Sequence, residues 1–313
     1  MIISHLISRK KLTQDKEPSD NGGVTVQQTP SEILQNELEF LLPLLLEFPK
    51  CYWLWNHRVW VIQETRVCLG VEEGINAWEK ELQLVNRMLG RDNRNFHGWN
   101  YRRLITKNLE QLAEEQRSGL KNQFAKSKQQ RELIENEFLY TKKMINTNLS
   151  NFSAWHQRSR LIPILLDERQ ASQSMRAKML EDEFELLESA LYTDPYDQSL
   201  WFYYQFLMTV VTQEQTTKSP SFLALTKEDR LRYMRRELGK LEDLLEGAED
   251  CKWIYQALLY YASIYHSLLG DNEESMRLQS NDWLSQLKKL DPLRSNRWND
   301  LAMSLNTDTD HKV

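Results

Sequence analysis

Apolar positions recur along this chain in two alternating patterns, each with the spacing of one helix face. Leu38, Leu44 and Leu45 are answered at the same offsets by Leu82, Met88 and Leu89, by Phe138, Met144 and Ile145, and by Phe184, Ala190 and Leu191. The six- and seven-residue steps within each set are about two helical turns. A glutamate precedes every set: Glu37, Glu81, Glu137 and Glu183. Each set predicts an amphipathic helix. The second pattern begins ten residues after the last apolar position with Trp55, Trp99, Trp155 and Trp201, and continues with Val61, Ile105, Leu161 and Leu207 six residues further on. Pro49 and Pro195 stand six residues before their tryptophans and end the first helix. Asn95, Asn151 and Asp197 are good N-caps for a second helix. Together the two patterns predict a helical hairpin of about 45 residues.

Tryptophan marks the register of the repeat. Trp55, Trp99, Trp155, Trp201, Trp253 and Trp298 are separated by 44, 56, 46, 52 and 45 residues. The first three lie in the strings KCYWLWNHR, RNFHGWNYR and SNFSAWHQR, with an aromatic three residues before Trp (Tyr52, Phe96, Phe152) and an arginine three after it (Arg58, Arg102, Arg158). The fourth, DQSLWFYYQFL, has Tyr204 at the arginine position; the fifth and sixth keep little beyond Trp253 and Trp298. The expected fold is all-α: a right-handed α-α superhelix, or solenoid, of about five to six hairpin repeats, each burying its face against its neighbours. The period fits HEAT-like arrays better than repeats of about 33 or 34 residues. The expected division is a polar, mobile N-terminal tail over 1–30, a helical-repeat domain over 31–304 and a C-terminal tail over 305–313. Residues 107–130, polar and helix-favouring, are expected to extend or join helices, and residues 212–230, with a Ser-Pro break, to form a loop.

Composition agrees with this reading. The chain has ten Gly and eight Pro in 313 residues, where average usage predicts roughly 22 and 16; architectures that depend on many tight turns are excluded. Ten tryptophans and a 41% hydrophobic content exclude global disorder. Three cysteines and a net charge of −5 point to a reducing, cytoplasmic setting and give no electrostatic reason to expect nucleic acid. No stretch resembles a signal peptide or a membrane span.

Catalytic signatures are missing: the sequence has no Gly-rich phosphate loop, nucleophile elbow, HExxH or paired CxxC motif. His57, His97 and His156 each neighbour a repeat tryptophan, but at offsets that point them in different directions, so polar lining is a better expectation than metal binding. Buried indoles with a partner for their N–H, and arginine stems packed over them, are ordinary material between repeats. Arg58, Arg102 and Arg158 are expected to find Glu37, Glu81, Glu137 or Glu183 within the array.

The repeat form aromatic-x-x-Trp-x-x-Arg with its upstream Glu resembles that of protein prenyltransferase α subunits. KCYWLWNHRVWVI (50–62), RNFHGWNYRR (94–103), SNFSAWHQRS (150–159) and DPYDQSLWFYYQFL (194–207) are most similar to the Rab (type II) geranylgeranyltransferase branch in its compact, fungal-type form. This resemblance covers about residues 33–210 and implies a non-autonomous subunit of a heterodimer. In such an enzyme a partner β subunit holds the zinc and most of the catalytic machinery. The pair transfers geranylgeranyl from geranylgeranyl diphosphate to C-terminal cysteines of Rab GTPases presented by a Rab escort protein. The resemblance implies no metal in this chain and no membrane insertion. It assigns Lys50 to the diphosphate, and Tyr52, Asn95 and His97 to positions facing the substrate pocket. His5 does not match the N-terminal histidine of some members, and residues 1–32 lack the N-P…W-N-x-R-R string that usually precedes the Lys-x-Tyr unit. A CaaX prenyltransferase α subunit and a non-catalytic helical-repeat adaptor are the alternatives.

Overall fold

The computed structural model describes residues 28–118, 128–213, 222–270 and 274–307. Among these residues the secondary structure is helical throughout. Six hairpins follow in order: α1 (Pro30–Glu47) with α2 (Tyr52–Leu69), α3 (Val71–Arg91) with α4 (Phe96–Ser118), α5 (Lys128–Thr147) with α6 (Phe152–Glu168), α7 (Gln173–Thr193) with α8 (Gln198–Thr212), α9 (Lys227–Leu245) with α10 (Lys252–Leu269), and α11 (Glu274–Leu290) with α12 (Ser295–Thr307). A 3-10 turn, Pro292–Arg294, separates the last two. The weak fifth and sixth units are therefore hairpins as well. The chain forms two compact units, one ending at Glu137 and the other beginning at Phe138, within α5.

Local chemistry starts and stops these helices where the sequence suggests. Thr29 and Glu32 make a reciprocal capping box on α1, with Pro30 in the first turn. Asn151, Ser172 and Asp197 each accept a backbone N–H at the start of α6, α7 and α8, and Thr226 with Asp229 caps α9. Gly70 is the hinge between α2 and α3. Its φ of 103° lies in the region that favours glycine, and there α2 turns into α3 at a single residue.

Helix α4 extends to Ser118 and α5 begins at Lys128, as expected for a helix-favouring spacer. In the second spacer, residues 213 and 222–226 are non-helical, but Thr212 still belongs to α8 and residues 227–230 already form the first turn of α9, so the loop is shorter than expected. Residues 1–27 with His5, 119–127, 214–221, 271–273 and the last six residues lie outside the described residues.

In each unit the core is a stack of apolar helix faces with the repeat tryptophans at its centre. Trp55, Trp78 and Trp99 are buried in the first unit; Trp155, Trp201 and Trp298 are buried in the second. A buried indole removes about 200 Å² from water, worth about 5 kcal/mol at roughly 25 cal/mol per Å².

Candidate functional site

Four of these tryptophans, Trp55, Trp99, Trp155 and Trp201, fasten the turn that precedes their own helix. The indole N–H donates to the carbonyl six residues earlier: Trp55 to Pro49 at 2.9 Å, Trp99 to Asn93 at 2.8 Å, Trp155 to Leu149 at 2.8 Å and Trp201 to Pro195 at 2.7 Å. The bond satisfies the polar end of a buried ring and fixes the backbone of the turn between the hairpin's two helices.

The arginines reach forward to the next repeat. Arg58 pairs with Glu81, Arg102 with Glu137 and Arg158 with Glu183, all of them buried. Arg158 also donates to the Phe138 carbonyl and Thr141 Oγ1 and lies 3.9 Å from the Phe138 ring centroid. A tyrosine two residues after Trp completes two of these sites: Tyr101 donates to Glu81 and Tyr203 to Glu183, both at 2.6 Å. Burial, and then the adjacent carboxylate, holds both hydroxyls well above their ordinary pKa. For Arg58 and Arg158, burial acts to lower the guanidinium pKa, but the paired carboxylate outweighs it and both values are raised. Glu37, first in the series, lies 2.9 Å from His57 at ion-pair distance but without hydrogen-bond geometry. These arginine–glutamate groups are structural. Each is buried and saturated by its neighbours.

A different group gathers at the exposed ends of the second helices in the first unit. Lys50, in the turn before α2, has a side chain 75% exposed, and its Nζ lies 3.5 Å from Asp92 in the turn before α4. Tyr52 is 54% exposed, and its ring centroid is 6.5 Å from that of His97; His97 packs against Phe96 at 4.0 Å. Asn95, the fourth expected member, is buried instead, with Oδ1 accepting the N–H groups of His97 and Gly98 and Nδ2 donating to Pro49 O at 3.0 Å. It caps α4 and ties that helix to the preceding turn, where the family resemblance implies a residue facing the pocket. In the second unit, His156 stacks on Phe152 at 5.8 Å and 22°.

The family model for the protein prenyltransferase alpha subunit repeat matches residues 34–65, 78–109, 134–165 and 180–210. The chain is 30% identical over 262 residues to the geranylgeranyl transferase type-2 subunit alpha of Saccharomyces cerevisiae, covering 84% of this chain and 71% of that protein. It is 33% identical over 274 residues to the protein of the same name in Dictyostelium discoideum, covering 87% and 71%. The counterpart in Candida albicans is 29% identical over 294 residues, covering 87% and 74%. The chain belongs to the protein prenyltransferase alpha subunit family, in its geranylgeranyl transferase type-2 branch.

Each matched prenyltransferase repeat carries its Glu on the first helix and its Trp on the second. The structure also corrects the register of the fifth unit, which lies beyond the matches. Tyr255, rather than Trp253, occupies the place of the repeat tryptophan: it is buried and its hydroxyl donates at 2.8 Å to the carbonyl six residues back, Glu249. Trp253 is only half-buried and packs against Lys252. Eighteen residues before Tyr255 stands Glu237, the glutamate that the tryptophan register missed. Searching with any aromatic in place of Trp would have found it. Since Tyr204 replaces the forward-reaching arginine of the fourth unit, Glu237 draws its cations from its own helix: Arg236 Nε at 3.0 Å and Lys240 Nζ at 3.5 Å. Trp298 is buried in the sixth unit, but its indole donates to Asp291 O at 3.3 Å, seven residues back where the other units reach six.

Among the described residues, no cluster of three or more His, Cys, Asp or Glu could hold a metal ion. No described helix is long and apolar enough to cross a membrane.

Proposed function

We propose that this chain is the α subunit of a heterodimeric protein geranylgeranyltransferase. It scaffolds a catalytic β subunit and contributes one cation to the prenyl diphosphate. The observation that carries this reading is the group of exposed Lys50 and Tyr52 with half-buried His97 on matched prenyltransferase repeats. An exposed ammonium on a held turn, beside Asp92 and the rings of Tyr52 and His97, suits an anionic leaving group whose hydrocarbon tail lies in a partner chain. In the transfer, a thiolate sulfur forms a bond to C1 of the prenyl group as the C1–O bond to diphosphate breaks, and negative charge gathers on the leaving oxygens. Lys50 Nζ would stabilise that charge by direct contact.

Exposed aromatic rings support the need for a partner. Tyr52 and Phe96 in the first unit, and Phe152 and Phe202 in the second, lie at the beginnings of second helices with about half or more of their surface open. In this reading the zinc and most of the catalytic groups belong to β, the protein substrates are Rab GTPases presented by their escort protein, and the complex works in the cytoplasm. Three free cysteines fit a reducing compartment.

Co-purification with the β subunit, followed by prenyl transfer to Rab plus escort or to a CaaX peptide, tests the reading. A stable complex active on Rab is expected. A free chain without β or transfer activity would favour the adaptor, and activity on the CaaX peptide alone would favour the other branch. Lys50→Ala should lower turnover with the heterodimer intact; unchanged turnover removes Lys50 from the mechanism.

A further inference from the structure

We infer that Asn95 is a positioning residue for Lys50, acting through the carbonyl of Pro49. This rests on the reading of Lys50 above and extends it to a residue on the neighbouring hairpin.

Pro49 O accepts two buried donors from different hairpins, the Trp55 indole at 2.9 Å and the Asn95 amide at 3.0 Å. That carbonyl and the Lys50 N–H belong to one planar peptide group, so fixing the oxygen fixes the plane from which Lys50 departs. Backbone bonds from Phe48 N–H to Leu44 O and from Cys51 N–H to Phe48 O also shape the turn. Cys51, the N-cap of α2, makes no side-chain cap bond, whereas α6 and α8 have Asn151 and Asp197.

Asn95 is itself well anchored. It is buried, its Oδ1 is engaged by two backbone N–H groups of α4, and next to it Gly98 lies so close to Leu89 that a Cβ there would come within 3.0 Å of that side chain. Asp92, the ion-pair partner of Lys50, lies in the same turn as Asn95. The ion-pair partner of the ammonium and the amide that holds Pro49 O therefore both come from the α3–α4 turn, while the Trp55 indole holds the same oxygen from α2.

A related tie joins the fourth and fifth hairpins, where Cys251 Sγ donates at 3.2 Å to Pro195 O, the acceptor of the Trp201 indole. There the residue following the proline is Tyr196. The tie thus occurs at two proline turns of the array. In the first unit it lies directly beside the lysine.

The test uses the heterodimer with its β subunit. Asn95→Ser keeps a capping oxygen but is too short to reach Pro49, and Asn95→Asp keeps the length and the acceptor but has no N–H to donate. Both should lower kcat about tenfold, since small misplacements of a catalytic group are costly. KM for the protein substrate should be unchanged; the melting temperature should move by less than about 2 °C for Asn95→Ser and fall further for Asn95→Asp, whose buried carboxylate faces the Pro49 carbonyl. In a Lys50→Ala background neither should cause further loss. The inference is overturned if both variants keep full kcat while Lys50→Ala does not, if their loss is undiminished in the Lys50→Ala background, or if kcat falls only in step with melting temperature. If Lys50→Ala itself has full turnover, the reading of Lys50 fails first and takes this inference with it.

Discussion

Arg158 grips Glu183 with two parallel N–H donors, Nε to Oε2 at 2.7 Å and Nη2 to Oε1 at 2.6 Å, although the two residues lie on different hairpins. Both side chains are nearly fully buried, and a buried carboxylate left without its arginine costs about 3–5 kcal/mol. Arg158→Met should therefore destabilise the chain by that amount. The double variant Arg158→Met with Glu183→Met should lose less than the sum of the two single variants, because no unpaired charge remains, although the buried Tyr203 hydroxyl is left without its acceptor. Urea unfolding of the four species measures the coupling, and additive losses would refute it.

Tyr203 contributes a third bond to the same carboxylate. Tyr203→Phe should cost about 1.5–3 kcal/mol, the usual range for a hydrogen bond to a charged group. Burial, followed by the charge of Glu183, raises the hydroxyl pKa in the fold while Arg158 opposes the shift. The native state therefore holds this proton more tightly than the unfolded chain does. The resulting stabilisation is complete below the unfolded value of 10.0 and lost as pH rises from there toward the native value. Between about pH 10 and 11, the unmodified chain should lose more stability than Tyr203→Phe; parallel losses in denaturant titrations would contradict this.

The fifth hairpin distinguishes two neighbouring aromatics. Tyr255 is buried in the place of the repeat tryptophan, and its truncation to Ala should cost about 3–5 kcal/mol. Trp253→Ala, at a half-buried position, should cost about 1 kcal/mol. Thermal melts that ranked the two in the opposite order would restore Trp253 as the register residue.

Glu237 allows a test in the opposite pH range. Burial pushes its carboxyl pKa up, against Lys240 and Arg236. The native state then favours the protonated form, so this group's contribution to stability is present below the ordinary value of 4.5 and lost as pH rises through the native value. Glu237→Gln, which cannot ionise, should gain relative to the unmodified chain as pH rises from the ordinary value of 4.5 through the native one. A stability difference independent of pH, measured by urea unfolding, would show that the charge is fully compensated.

Much of this architecture is legible from residue spacing because its signals are local. Leu82, Met88 and Leu89 write one helix face, and Trp99, Arg102 and Ile105 another. Lys50, Tyr52 and His97 stand out only through the family resemblance of the strings around Trp55 and Trp99, not through spacing. The role of Asn95 was hidden, because an N-cap asparagine looks the same in sequence whether its amide is solvated or tied to a carbonyl 46 residues away. The fifth register was hidden for a related reason. Tyr255 and Trp253 are both aromatic, and only burial and the bond to Glu249 separate them.

By itself, the sequence determined that this protein is a run of helical hairpins and that the second helix of each regular repeat carries a tryptophan on its inner face. Those outcomes depend on contacts within a turn or two of the chain and on the period of its apolar positions. Only the tertiary structure decided that each arginine pairs with the next hairpin's glutamate, that Glu237 takes its cations from its own helix, and that the turn bearing Lys50 is held from the neighbouring hairpin. The first and last of these pairings join residues far apart in sequence, and many partners are compatible with the same local pattern. The choice among them is made by packing.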